Sequence, residues 1–233
     1  MPKRPGAAVS PDPWQRLEAA AAGWGVEFGQ SQRTQLEKYL HLVQEHNQRV
    51  NLTAERSWEG LLLRHAADGL AAAGALKRRI KVPAPRIADV GSGAGFVGLP
   101  LKIAWPEAEL TLVESSLRRF EFLNLASLAL GLKGLKVLRR KAGADRIEPA
   151  PFDAAIERAL APLPAAVKLL LPLVRSGGLF AAYQSQAPER DPAVLEAAAQ
   201  SGGKWLETWP YRLPGEEKDR FLALFAREER SFP

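Results

Sequence analysis

The sequence predicts an α/β protein: a mostly parallel sheet flanked by helices, closed by an antiparallel C-terminal hairpin and preceded by a helical extension. Three observations carry this expectation. From Arg86 onward, short apolar runs of strand length alternate with helix-length segments, the order of a doubly wound sheet. The first run ends in Asp89 and leads through Gly91, Gly93 and Gly95 into Leu99, Leu101 and Ile103, the form of a strand, a tight turn and a helix start. Near the C-terminus, Lys204 to Tyr211 and Arg220 to Ala226 are joined through Pro214-Gly215 with no room for a crossover helix, so they must pair antiparallel.

Taken in order, residues 1–13 carry Pro2, Pro5, Pro11 and Pro13 and little to bury, which predicts a flexible tail. A short helix follows from Trp14 to Ala22, stopped by Gly23 and Gly25. The next, about Ser31 to Arg49, places Leu36, Tyr39, Leu40, Val43 and His46 on one stripe at helical spacing. Asn51-Leu52-Thr53-Ala54 interrupts the pattern, and Ser57 caps a third helix reaching about Leu76. That helix puts His65 and Asp68 on one face, which by itself reads as a packing pair. Pro83 and Pro85 punctuate the approach to strand 86–90, followed by helix 97–105, strand 109–114, helix 116–130 ended by Gly131, and strand 135–139. Strand 153–157, helix 163–174, strand 178–184 and helix 191–200 precede the hairpin. The expected organisation is a tail (1–13), a helical extension (14–80) and a sheet domain (81–233).

At 233 residues the chain is long enough for one well-buried domain plus a small extension. Lys3-Arg4 is followed by no apolar segment of signal-peptide type, and no stretch of about 20 residues is free of charges and prolines. A cytoplasmic protein with no membrane partner is expected. Zero cysteines exclude disulfides and thiolate chemistry, and His41, His46 and His65 match no zinc spacing, so no metal is expected. The net charge of +6 gathers at Lys77-Arg78-Arg79 with Lys81, at Arg118-Arg119, and at Lys133, Lys136 and Arg139-Arg140-Lys141. Three such clusters lean toward a polyanionic partner, nucleic acid above all. Nothing suggests an obligate dimer, and a monomer is expected.

The glycine turn carries the chemistry. Glycines allow positive φ and close approach of a ligand, and the first N–H groups of the helix offer donors. Gly93-Ala94-Gly95-Phe96-Val97-Gly98 fits G-x-G-x-x-G, so a dinucleotide enzyme or a purely structural turn stays open. A carboxylate at the strand end gains nothing from a pyrophosphate, whereas a cofactor with a sulfonium and an ammonium would suit it. Asp89-x-Gly91-x-Gly93-x-Gly95 therefore resembles motif I of the class I S-adenosylmethionine-dependent methyltransferases, whose Rossmann-like sheet ends in such a hairpin. Glu114 closes the second strand about 20 residues on, placed to take ribose hydroxyls of either cofactor. Gly143-Ala144 and Asp145 follow the third strand, where backbone N–H groups and a carboxylate could hold an adenine. Arg158, at the end of the fourth strand, is expected to face a ligand.

Further stretches resemble the RsmG (GidB) family of bacterial methyltransferases that modify guanine N7 in small-subunit 16S ribosomal RNA. They are His46-Asn47 through Asn51-Leu52-Thr53, Arg64-His65-Ala66-Ala67-Asp68, Asp89 to Gly98 with Leu99-Pro100-Leu101, Leu112-Val113-Glu114 with Arg118-Arg119, Phe152-Asp153 and Arg158-Ala159, spanning residues 31 to 227. The resemblance implies S-adenosylmethionine contacts at Gly91, Phe96, Gly143, Ala144 and Arg158, Glu114 at the ribose, and ribosomal RNA or the small subunit as partner. It implies no catalytic base, because guanine N7 carries an in-plane lone pair that needs no deprotonation. The chain departs from the family at Glu157 (usually serine), Val97 (usually proline) and Tyr183-Gln184-Ser185 (usually Leu-Lys-Gly), and Gln184 removes a charge. Two alternatives stand beside this reading: a catalytically weak relative that binds rRNA, and a nucleotide-dependent oxidoreductase.

Overall fold

The computed structural model describes residues 12–27, 29–148, 150–188 and 191–228. The expected flexible tail falls almost wholly outside them. Two helices open the described residues, α1 (Pro13–Gly23) and α2 (Gln30–Val50). On α2 the buried stripe is Leu36, Tyr39, Leu40, Val43 and Asn47; the last place belongs to Asn47, not His46. Its amide grips Thr53 at both backbone atoms, each bond 2.9 Å, so the loop after α2 folds back on the helix end. Asn51 ends the helix in the left-handed region, φ 53°.

The third helix is not one α-helix. Ser57 caps it as expected, accepting from the Gly60 N–H at 3.0 Å. A single turn, α3 (Trp58–Gly60), then opens into a π-helix over Leu61–Ala66 before α4 (Ala67–Lys77). The wider winding falls on Arg64-His65, where π segments are often found at functional sites. α4 is buried nearly all round, with alanines and Gly69 and Gly74 letting the backbones of neighbours approach.

The sheet elements are β1 (Arg86–Val90), α5 (Gly98–Ala104), β2 (Glu109–Glu114), α6 (Leu117–Leu130), β3 (Leu135–Arg139), β4 (Phe152–Glu157), α7 (Leu163–Leu170), β5 (Val174–Gln184), α8 (Pro192–Gln200), β6 (Gly203–Arg212) and β7 (Asp219–Arg227). α7 stops four residues short of the expected helix and passes through a 3-10 turn at Leu171–Leu173. Pro172 cannot donate its backbone bond and crowds the carbonyl of residue 168. β5 correspondingly starts early, at Val174, with a register break against β4 between Phe152 and Ala154.

The seven strands run in the order β3-β2-β1-β4-β5-β7-β6. The first five pair in parallel, and β7 pairs antiparallel with both β5 and β6. Inserting β7 between β5 and β6 brings the start of β7 and the end of β6 to the edge where the parallel strands end: Gln184 is opposite Phe221, and Arg212 opposite Asp219. One apolar cluster joins the N-terminal helices to one face of the sheet, and a second fills the other face under α7 and α8.

Candidate active site

At the carboxyl end of β1 the chain turns through Gly91, Gly93 and Gly95, all at positive φ (76°, 60° and 87°). Two of them also sit where a side chain would collide. A Cβ on Gly91 would lie 2.8 Å from Leu160 Cδ1, and one on Gly95 2.9 Å from Leu123 Cδ2. Ser92 pins the turn to β2: its hydroxyl donates to the Asp89 carbonyl at 2.7 Å and accepts from the Val113 N–H at 3.1 Å.

Asp89 is buried, and its Oδ2 accepts from the Gly98 N–H at 3.0 Å, tying the strand end to the start of α5. Burial pushes its carboxyl up to about 7, against the lowering pull of that bond and of the Arg158 guanidinium. Glu157, one residue beyond the position paired with Asp89 on β4, is likewise buried and pushed up to about 7 by burial, while its Oε2 accepts from the Leu160 N–H at 2.8 Å. Glu114 ends β2 and accepts from the Gly93 N–H at 2.9 Å and the Ser116 N–H at 2.8 Å, so it faces the glycine turn across the strand ends. Three carboxylates thus gather around one backbone turn.

Arg158 joins them from β4. Its Nη1 donates to Asp68 Oδ2 at 2.8 Å, and its guanidinium stands 5.8 Å from the Phe96 ring centroid. Phe96 is buried, stacked on His65 at 4.2 Å and edge-on to Tyr39. His65 is held near 4 by burial, with Arg158 adding to the effect, and is neutral at ordinary pH. Gly143, at φ 79°, begins the exposed turn after β3. Asp145 in that turn spends its Oδ2 on the Lys141 N–H at 2.7 Å and, with Ser115 beyond Glu114, lines a shallow cavity of about 370 Å³. Of the residues singled out in the sequence, Asp89, Gly91, Gly93, Phe96, Glu114 and Arg158 form one contiguous set. Gly143, Ala144 and Asp145 lie alongside, past the end of β2.

Sequence reasoning missed the centre of the polar network. Asp68, 1% exposed, accepts from Arg158, from the Tyr211 hydroxyl at 2.7 Å and from Arg220 Nη1 at 3.3 Å, while its carbonyl takes the Tyr183 hydroxyl at 2.6 Å. The Arg-His-x-x-Asp stretch was the available signal for Asp68; nothing local marks Tyr211 or Arg220. The basic runs also separate. Lys77 donates to the Ala104 carbonyl and Arg79 forks onto Glu207, so that run serves packing. Arg139, Arg140 and Lys141 are exposed around the shallow cavity.

A family model described as rRNA small subunit methyltransferase G (GidB) matches residues 32–212. Similar curated relatives include the ribosomal RNA small subunit methyltransferase G of Halalkalibacterium halodurans, 35% identical over 94% of this chain and 90% of that protein. The protein of the same name from Rubrobacter xylanophilus is 37% identical over 88% of this chain and 79% of that one. Among solved structures, the magnesium protoporphyrin IX methyltransferase of Synechocystis PCC 6803 with bound SAM superposes with a TM-score of 0.59 at 11% identity, over 82% of this chain and 97% of that chain. TrmN from Thermus thermophilus gives 0.54 at 18% identity, over 74% and 52%. At these identities the structural likeness speaks for the fold.

Proposed function

Because the chain belongs to the rRNA small subunit methyltransferase G (GidB) family, we propose that it methylates guanine N7 of small-subunit 16S ribosomal RNA, using S-adenosylmethionine. The observation that carries the cofactor reading is the pair of buried carboxylates, Asp89 and Glu157, at neighbouring strand ends beside the glycine turn. Burial resists their ionisation, and a bound cation relieves that cost. A pyrophosphate would meet the same two groups as repulsion, which disfavours the dinucleotide alternative.

In this reading Asp89 and the turn at Gly91 and Gly93 take the amino-acid end of the cofactor, and Glu114 takes the ribose hydroxyls with the lone pairs its two backbone bonds leave free. The turn at Gly143, Ala144 and Asp145 borders the adenine, and Arg158 meets the cofactor from the opposite wall. S-adenosylmethionine supplies, when bound, an electrophilic methyl group: the S–CH3 bond breaks as the N7–CH3 bond forms, sulfur keeps the electron pair, and the base gains the positive charge. No proton moves, so the neutral His65 is not required as an acid or base. What the protein contributes is alignment and charge placement, through a turn fixed by Ser92 and carboxylates fixed by backbone N–H groups. The exposed cations at 139–141 and Arg118 give RNA phosphates a landing surface near the cofactor edge. The setting proposed is a monomer acting in the cytoplasm.

Small subunits lacking the modification, incubated with the protein and methyl-labelled S-adenosylmethionine, acquire label in 16S rRNA as 7-methylguanosine. Absence of incorporation refutes the reading.

A further inference from the structure

Methylating a base requires its reacting edge to reach the cofactor, and enzymes that act on bases take them out of the stack into a pocket. Two cavities adjoin the carboxyl ends of β4 and β5, of about 570 Å³ and 550 Å³, and they share Asp68, Arg158, Ala159 and Arg220 along their common wall. They adjoin as two lobes of one face, both bordered by Arg158, the proposed cofactor contact. The larger lobe is lined by Arg158, Lys218 and Arg220 against Asp68, Glu216 and Asp219, three cations balanced by three anions. That balance suits a neutral polar ligand such as a nucleobase, whereas phosphates find three cations against Asp145 alone among the residues lining the shallow cavity at 139–141.

Glu216 stands out within this lobe. It sits in the turn between β6 and β7, beyond the residues matched by the family model, with the Pro214-Gly215 bend holding its N–H on the Leu213 carbonyl at 3.0 Å. Arg220 grips it as a fork, Nε to Oε2 at 3.1 Å and Nη2 to Oε1 at 2.9 Å, and Arg64 Nε from the π-helix lies 3.2 Å from Oε1. Arg220 is in turn tied to Asp68, so the plane of the Glu216 carboxylate is fixed relative to Arg158. Among the described residues Oε2 accepts only from Arg220, which leaves it acceptor capacity, and Glu216 lines the larger lobe.

We propose that this lobe receives the target base and that Glu216 reads it as guanine, accepting from N1–H while N7 faces the cofactor. The proposal rests on the rRNA methyltransferase reading. Adenine offers the same N7, but its N1 is a bare acceptor and meets the carboxylate lone pair to lone pair, which rejects it. Methylation places positive charge on the purine and makes N1–H a stronger donor, so the bond strengthens as the reaction proceeds. Arg220 is a positioning residue in this scheme.

The test compares wild type, Glu216→Gln and Arg220→Lys on small subunits reconstituted with guanine or adenine at the acceptor nucleotide, measuring kcat/KM, S-adenosylhomocysteine affinity and melting temperature. Glu216→Gln presents an amide N–H where adenine N1 accepts. It should cut the guanine-to-adenine ratio of kcat/KM at least tenfold, with S-adenosylhomocysteine affinity within twofold of wild type. Arg220→Lys, which keeps the charge and loses the fork, should erode the same ratio to a lesser degree. A wild-type ratio retained in Glu216→Gln, or a loss of S-adenosylhomocysteine binding as large as the loss on RNA, overturns the inference. No incorporation by wild type on guanine subunits refutes the activity itself, a separate outcome.

Discussion

Removing the Asp68 carboxylate should destabilise the fold and disturb the site together. Asp68→Ala leaves two guanidinium groups and the Tyr211 hydroxyl facing a hole, having lost acceptor bonds of 2.8, 3.3 and 2.7 Å. Breaking a buried ion pair by removing one partner costs about 3–5 kcal/mol. Both arginine side chains are 27% exposed and recover part of that through water, so the lower end, about 3 kcal/mol, is the expected loss. For a chain of this size that lowers the melting temperature by about 6–12 °C. Tyr211→Phe removes one bond and leaves the carboxylate paired with both arginines, so it should cost about 1.5 kcal/mol. The Tyr183 bond to the Asp68 carbonyl persists in both variants. Thermal unfolding with and without S-adenosylhomocysteine measures both effects, and Asp68→Ala should also weaken ligand binding because Arg158 loses its anchor. An Asp68→Ala melting temperature within 2 °C of wild type, or no lower than that of Tyr211→Phe, would refute the account of Asp68 as the hub.

The paired carboxylates make a pH prediction of defined sign. Asp89 and Glu157 titrate near 7 in the folded chain and near 4 when unfolded, so the folded state holds more protons between those values. Ligand-free stability is therefore highest below about pH 4 as far as these two groups are concerned, and it is lost as pH rises from 4 through 7, by about 1.4 kcal/mol per pH unit for each group. S-adenosylmethionine affinity should move the opposite way, rising from pH 6 to 8; a flat calorimetric titration across that range contradicts it. Gly91→Ala strains a φ of 76° and drives a methyl group against Leu160, so it should cost about 1–2 kcal/mol of stability and weaken S-adenosylhomocysteine binding, read by thermal shift and calorimetry. Glu114→Gln keeps the shape but turns one acceptor oxygen into a donor facing the Gly93 or Ser116 N–H, and should reduce S-adenosylhomocysteine affinity about tenfold with little change in affinity for RNA.

Much of the parallel half was legible because its signals are local. A carboxylate at a strand end, alternate glycines and a helical apolar pattern within a dozen residues specify the turn, and the structure bonds the Gly93 N–H to Glu114 and the Gly98 N–H to Asp89. The Asn-Leu-Thr stretch was visible as a motif, and its physical reason, the Asn47 clamp on Thr53, emerged with the fold. The π-helix was not legible, since the same apolar spacing serves an α-helix until Arg64 and His65 are pulled toward Glu55 and Thr53. Nor was the Asp68 network, whose partners lie 143 and 152 residues away and meet it through strand order alone.

That strand order has a chemical consequence. A hairpin added with β6 next to β5 would carry the start of β7 one strand farther from β4, and Arg220 with it. With β7 beside β5, Arg220 stands one position before the residue paired with Gln184, on the same edge as Arg158, and the Leu213–Lys218 turn overhangs the larger lobe. The antiparallel end of the sheet therefore supplies one wall of the site as well as an edge cover. Gln184, where the family resemblance implies a lysine, lies against that wall. With Lys218, Arg220 and Arg158 already lining the lobe, a lysine at 184 would tip its balanced charge to positive. Gln184 keeps it neutral, consistent with a lobe that holds a base and leaves the phosphates to the exposed arginines outside.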